Sequence, residues 1–209
     1  MIQSNIVNSV FGSFTTIIKE KCRETPPKVI ADSNGSSEET GVIQIIKTNT
    51  NLNVLHKSQN PNYILLYEAH KRNSKDWRFT DFDRSEGDFY LSGYRIDLKV
   101  ASKPMGKEKE KGLPSFVAGS IPVTSLVDFP KGDGRSLYWC VSNDWSRQFL
   151  VDADDVLEFV SQNERYRAVL EAFRNDKAAG KSMNTKAFDY KDIFVTINQL
   201  PQTAYEELY

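Results

Sequence analysis

The sequence predicts a single α/β domain over residues 1–209, with a central mixed β-sheet flanked by helices. Three observations carry this. Apolar residues recur at helical spacing near both ends of the chain. Residues 87–102, GDFYLSGYRIDLKVAS, alternate as two strands around Ser92-Gly93. Residues 136–151 read as strand, turn and return strand, leading directly into the second helical stretch.

In chain order, Ile2, Ile6, Val7, Val10, Phe11, Phe14, Ile17 and Ile18 predict an amphipathic helix over residues 2–22, ending before Pro26-Pro27. Residues 31–40 are polar and read as a loop. The β-branched run at 41–48, GVIQIIKT, has strand composition. Residues 50–61 are Asn-rich and lack periodicity. The apolar run at 62–70 fits a buried strand as well as a short helix. Strand-like pieces follow around 121–123, then a turn at 131–135. The apolar strand 136–142 returns through a turn at 143–146 to 147–151. Asp152 or Asp154 caps a helix over about 155–175. After a Gly/Lys/Ser loop at 178–185, residues 192–197 form a late strand or buried segment, and the tail is polar.

A length of 209 residues supports one substantial core. A hydrophobic content of 39% is enough to fill it. With a net charge of −1, any nucleic-acid contact must come from local clustering. Cys22 and Cys140 lie in apolar segments and are expected as buried free thiols. His56 and His70 are the two histidines, too few for a zinc site or a Ser-His triad to be the natural reading. No apolar run is long enough to span a bilayer, and no secretory leader is recognisable, so a cytoplasmic protein without a membrane partner is expected. The absence of GxxxxGK[ST] argues against a nucleotide cofactor.

The hairpin carries the chemistry. Turning at Ser92-Gly93 sets Leu91 opposite Tyr94, Tyr90 opposite Arg95, Phe89 opposite Ile96 and Asp88 opposite Asp97. Alternation then sends Phe89, Leu91, Tyr94, Ile96, Leu98 and Val100 to one face. Asp88, Tyr90, Arg95, Asp97 and Lys99 go to the other. Opposed carboxylates repel, and a hard cation such as Mg²⁺ would relieve them. The plainer reading is a solvated strand face with an Asp-Lys pair. Residues 95–111 hold six basic residues against three acidic ones. Pro104, Gly106 and Gly112 make 103–112 loop-like. This segment is either a solvated loop or a flexible contact to phosphates.

Asp88, Asp97-Leu98-Lys99 and Ser102 together resemble the PD-(D/E)XK nuclease superfamily. Gly87 stands where that family often has proline. The stretch LYWCVSNDWSRQFLVDADDVLEF also resembles the family's later core. The resemblance implies a restriction-endonuclease-like core in which Asp88 and Asp97 hold Mg²⁺, with the Leu98 carbonyl as a further ligand. Lys99 would orient the attacking water and stabilise transition-state charge. The family often adds a glutamate from its first helix. Glu20 is the candidate, with Glu24 and Glu68 behind it. Ser102, Lys103, Lys107, Lys109 and Arg147 are candidates for nucleic-acid contact. Asn143, Lys131, Arg135 and Lys181 are turn and loop polars that read more simply as solvent-facing. The implied activity is Mg²⁺-dependent endonucleolytic cleavage of double-stranded DNA by a homodimer, most like a type II restriction enzyme. Repair and junction nucleases of the same superfamily are alternatives. So is a non-catalytic interaction module with a surface charge cluster.

Overall fold

The computed structural model describes residues 12–28, 30, 38–60, 86–100, 120–142, 145 and 147–208. It is a mixed α/β fold whose central sheet is mostly antiparallel and is flanked by helices. Its elements are α1 (Gly12–Glu24), α2 (Glu38–Asn49), β1 (Val54–His56), β2 (Phe89–Leu91) and β3 (Tyr94–Val100). There follow β4 (Ser120–Pro122), β5 (Ser136–Val141), β6 (Gln148–Asp152), α3 (Ala153–Gln162) and α4 (Glu164–Ala178). The short α5 (Tyr190–Ile193), β7 (Phe194–Thr196) and β8 (Tyr205–Leu208) complete the set. The main sheet runs β1-β2-β3-β5-β6-β8, and β4 pairs with β7 separately. Among the described residues its one parallel pair is β3 with β5, which sets Asp97 beside Tyr138 and Lys99 beside Cys140.

The hairpin has the register expected from sequence, with Phe89 opposite Ile96, Tyr90 opposite Arg95 and Leu91 opposite Tyr94. Its turn works because Ser92 and Gly93 both take positive φ, 49° and 89°. That is the twist a two-residue hairpin needs.

Alternation then divides the core into two layers. On one face Phe89, Leu91, Ile96, Leu98, Leu137, Trp139 and Val141 pack against Ile18 and Cys22 of α1 and Val42, Ile43, Ile45 and Ile46 of α2. Trp139 is fully buried there and donates its indole N–H to Gln148 Oε1 at 3.2 Å. On the other face Tyr138, Cys140, Phe149 and Val151 pack against Val156 and Val160 of α3 and Tyr166, Val169, Leu170 and Phe173 of α4. Burying a large apolar side chain contributes about 1.5–3 kcal/mol, so both faces of β5 and β6 act as core. Cys22 and Cys140 are buried free thiols, as expected from sequence. Burial pushes the Cys22 thiol up to about 12.

Two expectations are corrected, and two stretches hold elements that the sequence reading did not predict. Residues 41–48 are not a strand but the body of α2. Val42, Ile43, Ile45 and Ile46 fall on one helical face, and burial of that face outweighs β-branched propensity. The helix expected over 155–175 is two helices broken at Asn163. That residue is extended (φ −92°, ψ 113°), and its side chain accepts from the Arg165 N–H to cap α4. The polar tail contains β8, an edge strand antiparallel to β6. Residues 50–61 contain β1 and a 3-10 helix at Lys57–Gln59.

Other expectations hold. Asp152 caps α3, accepting from the N–H groups of Asp154 and Asp155. Asp154 instead accepts from Gly132 and Gly134 N–H at 2.9 and 3.0 Å, tying down the 131–135 turn. The helix expected over 2–22 is seen from Gly12 onward as α1. Its first part, residues 62–70 and residues 103–112 lie outside the described residues. No described helix is long and apolar enough to cross a membrane.

Candidate functional site

The site begins with how the chain enters β2. Gly87 has φ +67°, and a Cβ there would lie 2.6 Å from the Ile96 carbonyl oxygen. Only glycine allows both the conformation and the approach. Proline, with φ near −65°, could not adopt it. The next residue is thereby pressed onto β3, and Asp88 N–H donates to the Ile96 carbonyl at 2.7 Å. Replacing Gly87 with alanine is expected to destabilise the fold by about 2–4 kcal/mol, from strain plus displacement of β3. Urea unfolding at fixed pH measures this, and an unchanged midpoint would contradict the tight approach.

Asp88, Asp97 and Lys99 line one cavity of about 240 Å³, together with Lys57, Gly87, Pro122, Thr124 and Ser125. The two carboxylates opposed in the sequence reading therefore face the same space. Asp88 Oδ2 accepts the Leu98 N–H at 2.8 Å, across the hairpin. Lys99 Nζ donates to Asp97 Oδ1. The same ammonium lies 5.8 Å from the centre of the Tyr138 ring. Ser125 gives its single hydroxyl proton to the Pro122 carbonyl at 2.8 Å, so Tyr138 O–H is the donor in the 2.8 Å contact with Ser125 Oγ. This fixes the cavity's far wall, the 3-10 helix Val123–Val127, to the strand beside Asp97.

The electrostatics match the geometry. Burial, and then the Asp97 charge, push the Asp88 carboxyl up to about 7, against 3.8 ordinarily. The Leu98 N–H and Lys99 oppose this, and Glu39 adds to it. Burial pulls the Lys99 ammonium down, but Asp97 and Asp88 more than offset that, so its pKa lies above the ordinary 10.5. Lys99 is therefore a cation at neutral pH and an electrostatic partner rather than a base.

Comparison with protein-family models, curated proteins and solved structures gave no match.

The other candidate residues are spread more widely. The Leu98 side chain belongs to the opposite core face, as alternation demands, while its backbone reaches Asp88. Glu20 is exposed on α1 and is not among the cavity residues. Glu24 pairs with Lys21 at 2.6 Å. Arg147 pairs with Glu207 at 2.8 Å and stacks on Phe149, lining a separate cavity with Tyr205 and Glu206. It is not brought to the Asp-Lys cluster. Ser102, Lys103, Lys107, Lys109 and Glu68 lie outside the described residues.

Sequence reasoning missed Lys57 and Glu39. Glu39 sits in the first turn of α2, partly buried, close enough for its charge to act on both Asp88 and His56. Its signal was present. Ser36 and Glu39 have capping-box spacing, which marks a helix start within the stretch read as a loop, just before the run read as a strand. Lys57 gave no such signal, because nothing local predicts that β1 lies against β2. Among the described residues no three His, Cys, Asp or Glu side chains form a ready metal cage. Any cation would rest on the Asp88–Asp97 pair. Mg²⁺ commonly takes one or two carboxylates and completes its shell with water and phosphate, so the pair fits it.

Proposed function

We propose that this cavity hydrolyses phosphodiester bonds of double-stranded DNA, as a Mg²⁺-dependent endonuclease of the PD-(D/E)XK type. The observation that carries the reading is the meeting of Asp88, Asp97 and Lys99 in one cavity. Asp88 and Asp97 would hold Mg²⁺, and the ion would supply Lewis acidity and a lowered pKa for an attacking water. Lys99, held on Asp97 and kept protonated, offers positive charge where the phosphoryl oxygens become more negative. The cavity is small beside sites that enclose drug-sized ligands. Its size suits a phosphate on the backbone of a long polymer. The β3–β5 and β5–β6 pairings, with α3 behind them, support a restriction-endonuclease-like core. Two-fold cutting of duplex DNA calls for a homodimer, and a type II restriction enzyme in the cytoplasm is the form proposed. Ser102, Lys103, Lys107 and Lys109 follow β3 directly in the chain and are proposed to add phosphate contacts.

The test is incubation of the full chain with plasmid and phage DNA in Mg²⁺, with EDTA as the control. Discrete fragments are expected in Mg²⁺ and none in EDTA. No cutting of duplex DNA in Mg²⁺ or Mn²⁺ would sink the reading.

One observation favours a second reading. Lys99 is bonded to Asp97, and Lys57 lies 3.8 Å from Asp88, so the four charges satisfy one another without a metal. Such a neutral cluster is what a non-catalytic interaction module would keep. In that case Mg²⁺ leaves the melting temperature unchanged. The nuclease reading expects Mg²⁺ to raise it, because a ligand of the folded state stabilises that state.

A further inference from the structure

We infer that Thr124 donates its hydroxyl proton to a non-bridging oxygen of the phosphate being cut. This rests on the nuclease reading of the cavity and adds a neutral substrate contact to it. Thr124 lines the same cavity as Asp88, Asp97 and Lys99. It is the second residue of the 3-10 helix Val123–Val127 that forms the far wall. The chain is held on both sides of it. Before it, Pro122 ends β4 and stands opposite Phe194 of β7. After it, Ser125 is bonded to the Pro122 carbonyl and to Tyr138 of β5, both at 2.8 Å. The Ser125 carbonyl accepts the Phe129 N–H at 3.0 Å. A side chain carried between such anchors is positioned before any substrate arrives.

The hydrogen bonds of the cavity single this residue out. Asp88 accepts the Leu98 N–H at 2.8 Å, and Asp97 is bonded to Lys99. Lys57 stands 3.8 Å from the Asp88 carboxylate. Ser125 gives its one proton to Pro122 and accepts from Tyr138. Among the described residues the Thr124 hydroxyl has no hydrogen-bond partner, unlike every other polar side chain of the lining. Thr124 is half-buried. Among the described residues only Gln148 Nε2 is a buried side-chain atom without a partner, so the Thr124 hydroxyl is reached by solvent. Charge then selects the occupant. Lys57, Asp88, Asp97 and Lys99 carry all the charge of the lining, whereas Pro122, Thr124 and Ser125 carry none. A phosphate between them turns one oxygen to the metal ion and Lys99, and the other toward the neutral wall. An oxyanion taken out of water there needs a donor. A threonine hydroxyl has one proton to give and is a common partner of backbone phosphates.

The experiment compares Thr124→Val and Thr124→Ser with the wild-type chain. Cleavage of phage DNA is followed in Mg²⁺, and binding of sheared duplex DNA in Ca²⁺ across a NaCl series. Valine matches threonine in shape and lacks only the hydroxyl. Thr124→Val is expected to lower kcat/KM about ten- to hundred-fold, the worth of one hydrogen bond to a charged group. The slope of log K against log [NaCl] stays at the wild-type value, because a neutral donor releases no counterion. Thr124→Ser keeps the hydroxyl and restores most of kcat/KM. Both variants melt at the wild-type temperature, since the hydroxyl makes no bond among the described residues. Three results would each overturn the inference about Thr124 while the nuclease reading stands. The wild-type chain cuts DNA and Thr124→Val cuts it as efficiently; or the loss in Thr124→Val comes with a lower melting temperature or a changed salt slope; or serine does not restore it. If the wild-type chain neither cuts nor binds DNA, both readings fall.

Discussion

Asp97→Asn is expected to reduce Mg²⁺-dependent cleavage by about 10³-fold or more, and Lys99→Met by about 10²–10³-fold. The two losses have different causes. Asp97 is nearly buried and shares its cavity with Asp88, so amidation removes half of the carboxylate pair that would hold the ion. Higher Mg²⁺ should then recover part of the lost rate. Lys99 contributes charge rather than metal affinity, so its loss should persist at any Mg²⁺ concentration. The choice of variants matters because Lys99 and Asp97 are paired. Alanine at 97 would leave a largely buried ammonium without its carboxylate, and removing one member of such a pair costs about 3–5 kcal/mol. Asparagine keeps the volume and an acceptor for Lys99. Methionine keeps the aliphatic stem against Tyr138. Measured rates with melting curves alongside decide the matter. Full activity in either variant would remove the cluster from the chemistry.

Asp88→Asn should stabilise the metal-free protein at pH 8 while leaving it little changed near pH 4. The sign follows from the raised pKa. Burial, then Asp97, hold the folded carboxyl at about 7, whereas the unfolded chain has it near its ordinary 3.8. Between those values the folded state keeps a proton that the unfolded state has lost. The contribution of Asp88 to stability is therefore full below the unfolded value and is lost as pH rises through 7. At 1.36 kcal/mol per unit, the loss is on the order of 4 kcal/mol. Asparagine has no proton to lose and can still accept the Leu98 N–H. The difference in unfolding free energy between variant and wild type, followed from pH 4 to 8, isolates this group from the rest. A difference that is flat, or that falls with pH, would refute the assignment. Mg²⁺ should narrow the gap at pH 8 by favouring the ionised wild-type carboxyl.

The Asp88–Asp97–Lys99 cluster was legible because hairpins are local. Ser92-Gly93 sets the turn, the turn sets the register, and the period of two assigns every side chain to a face. Phe89, Leu91, Ile96 and Leu98 duly enter the core, while Asp97 and Lys99 stay on the other face. The strand 136–141, its return at 148–152 and the Asp152 cap were readable for the same reason. Residues 41–48 were not. Val42, Ile43, Ile45 and Ile46 suit either a strand or one face of a helix, and burial of that face against the sheet settled which. β8 was hidden because Glu206 and Glu207 mask a short edge strand whose partner is more than fifty residues away.

By itself the sequence determined the hairpin, its register and the face that carries two carboxylates and a lysine. Only the tertiary structure decided what stands around them. It set β3 parallel to β5, so that Tyr138 lies beside Asp97. It brought Lys57, from the 3-10 helix that follows the edge strand β1, and the Val123–Val127 helix to the same cavity. It left Glu20 exposed and put the Glu39 charge within reach of Asp88. The division has one physical cause. Register propagates through adjacent backbone hydrogen bonds, which the local sequence encodes. Which distant strand or helix comes to lie alongside depends on the burial of whole faces, to which every part of the chain contributes.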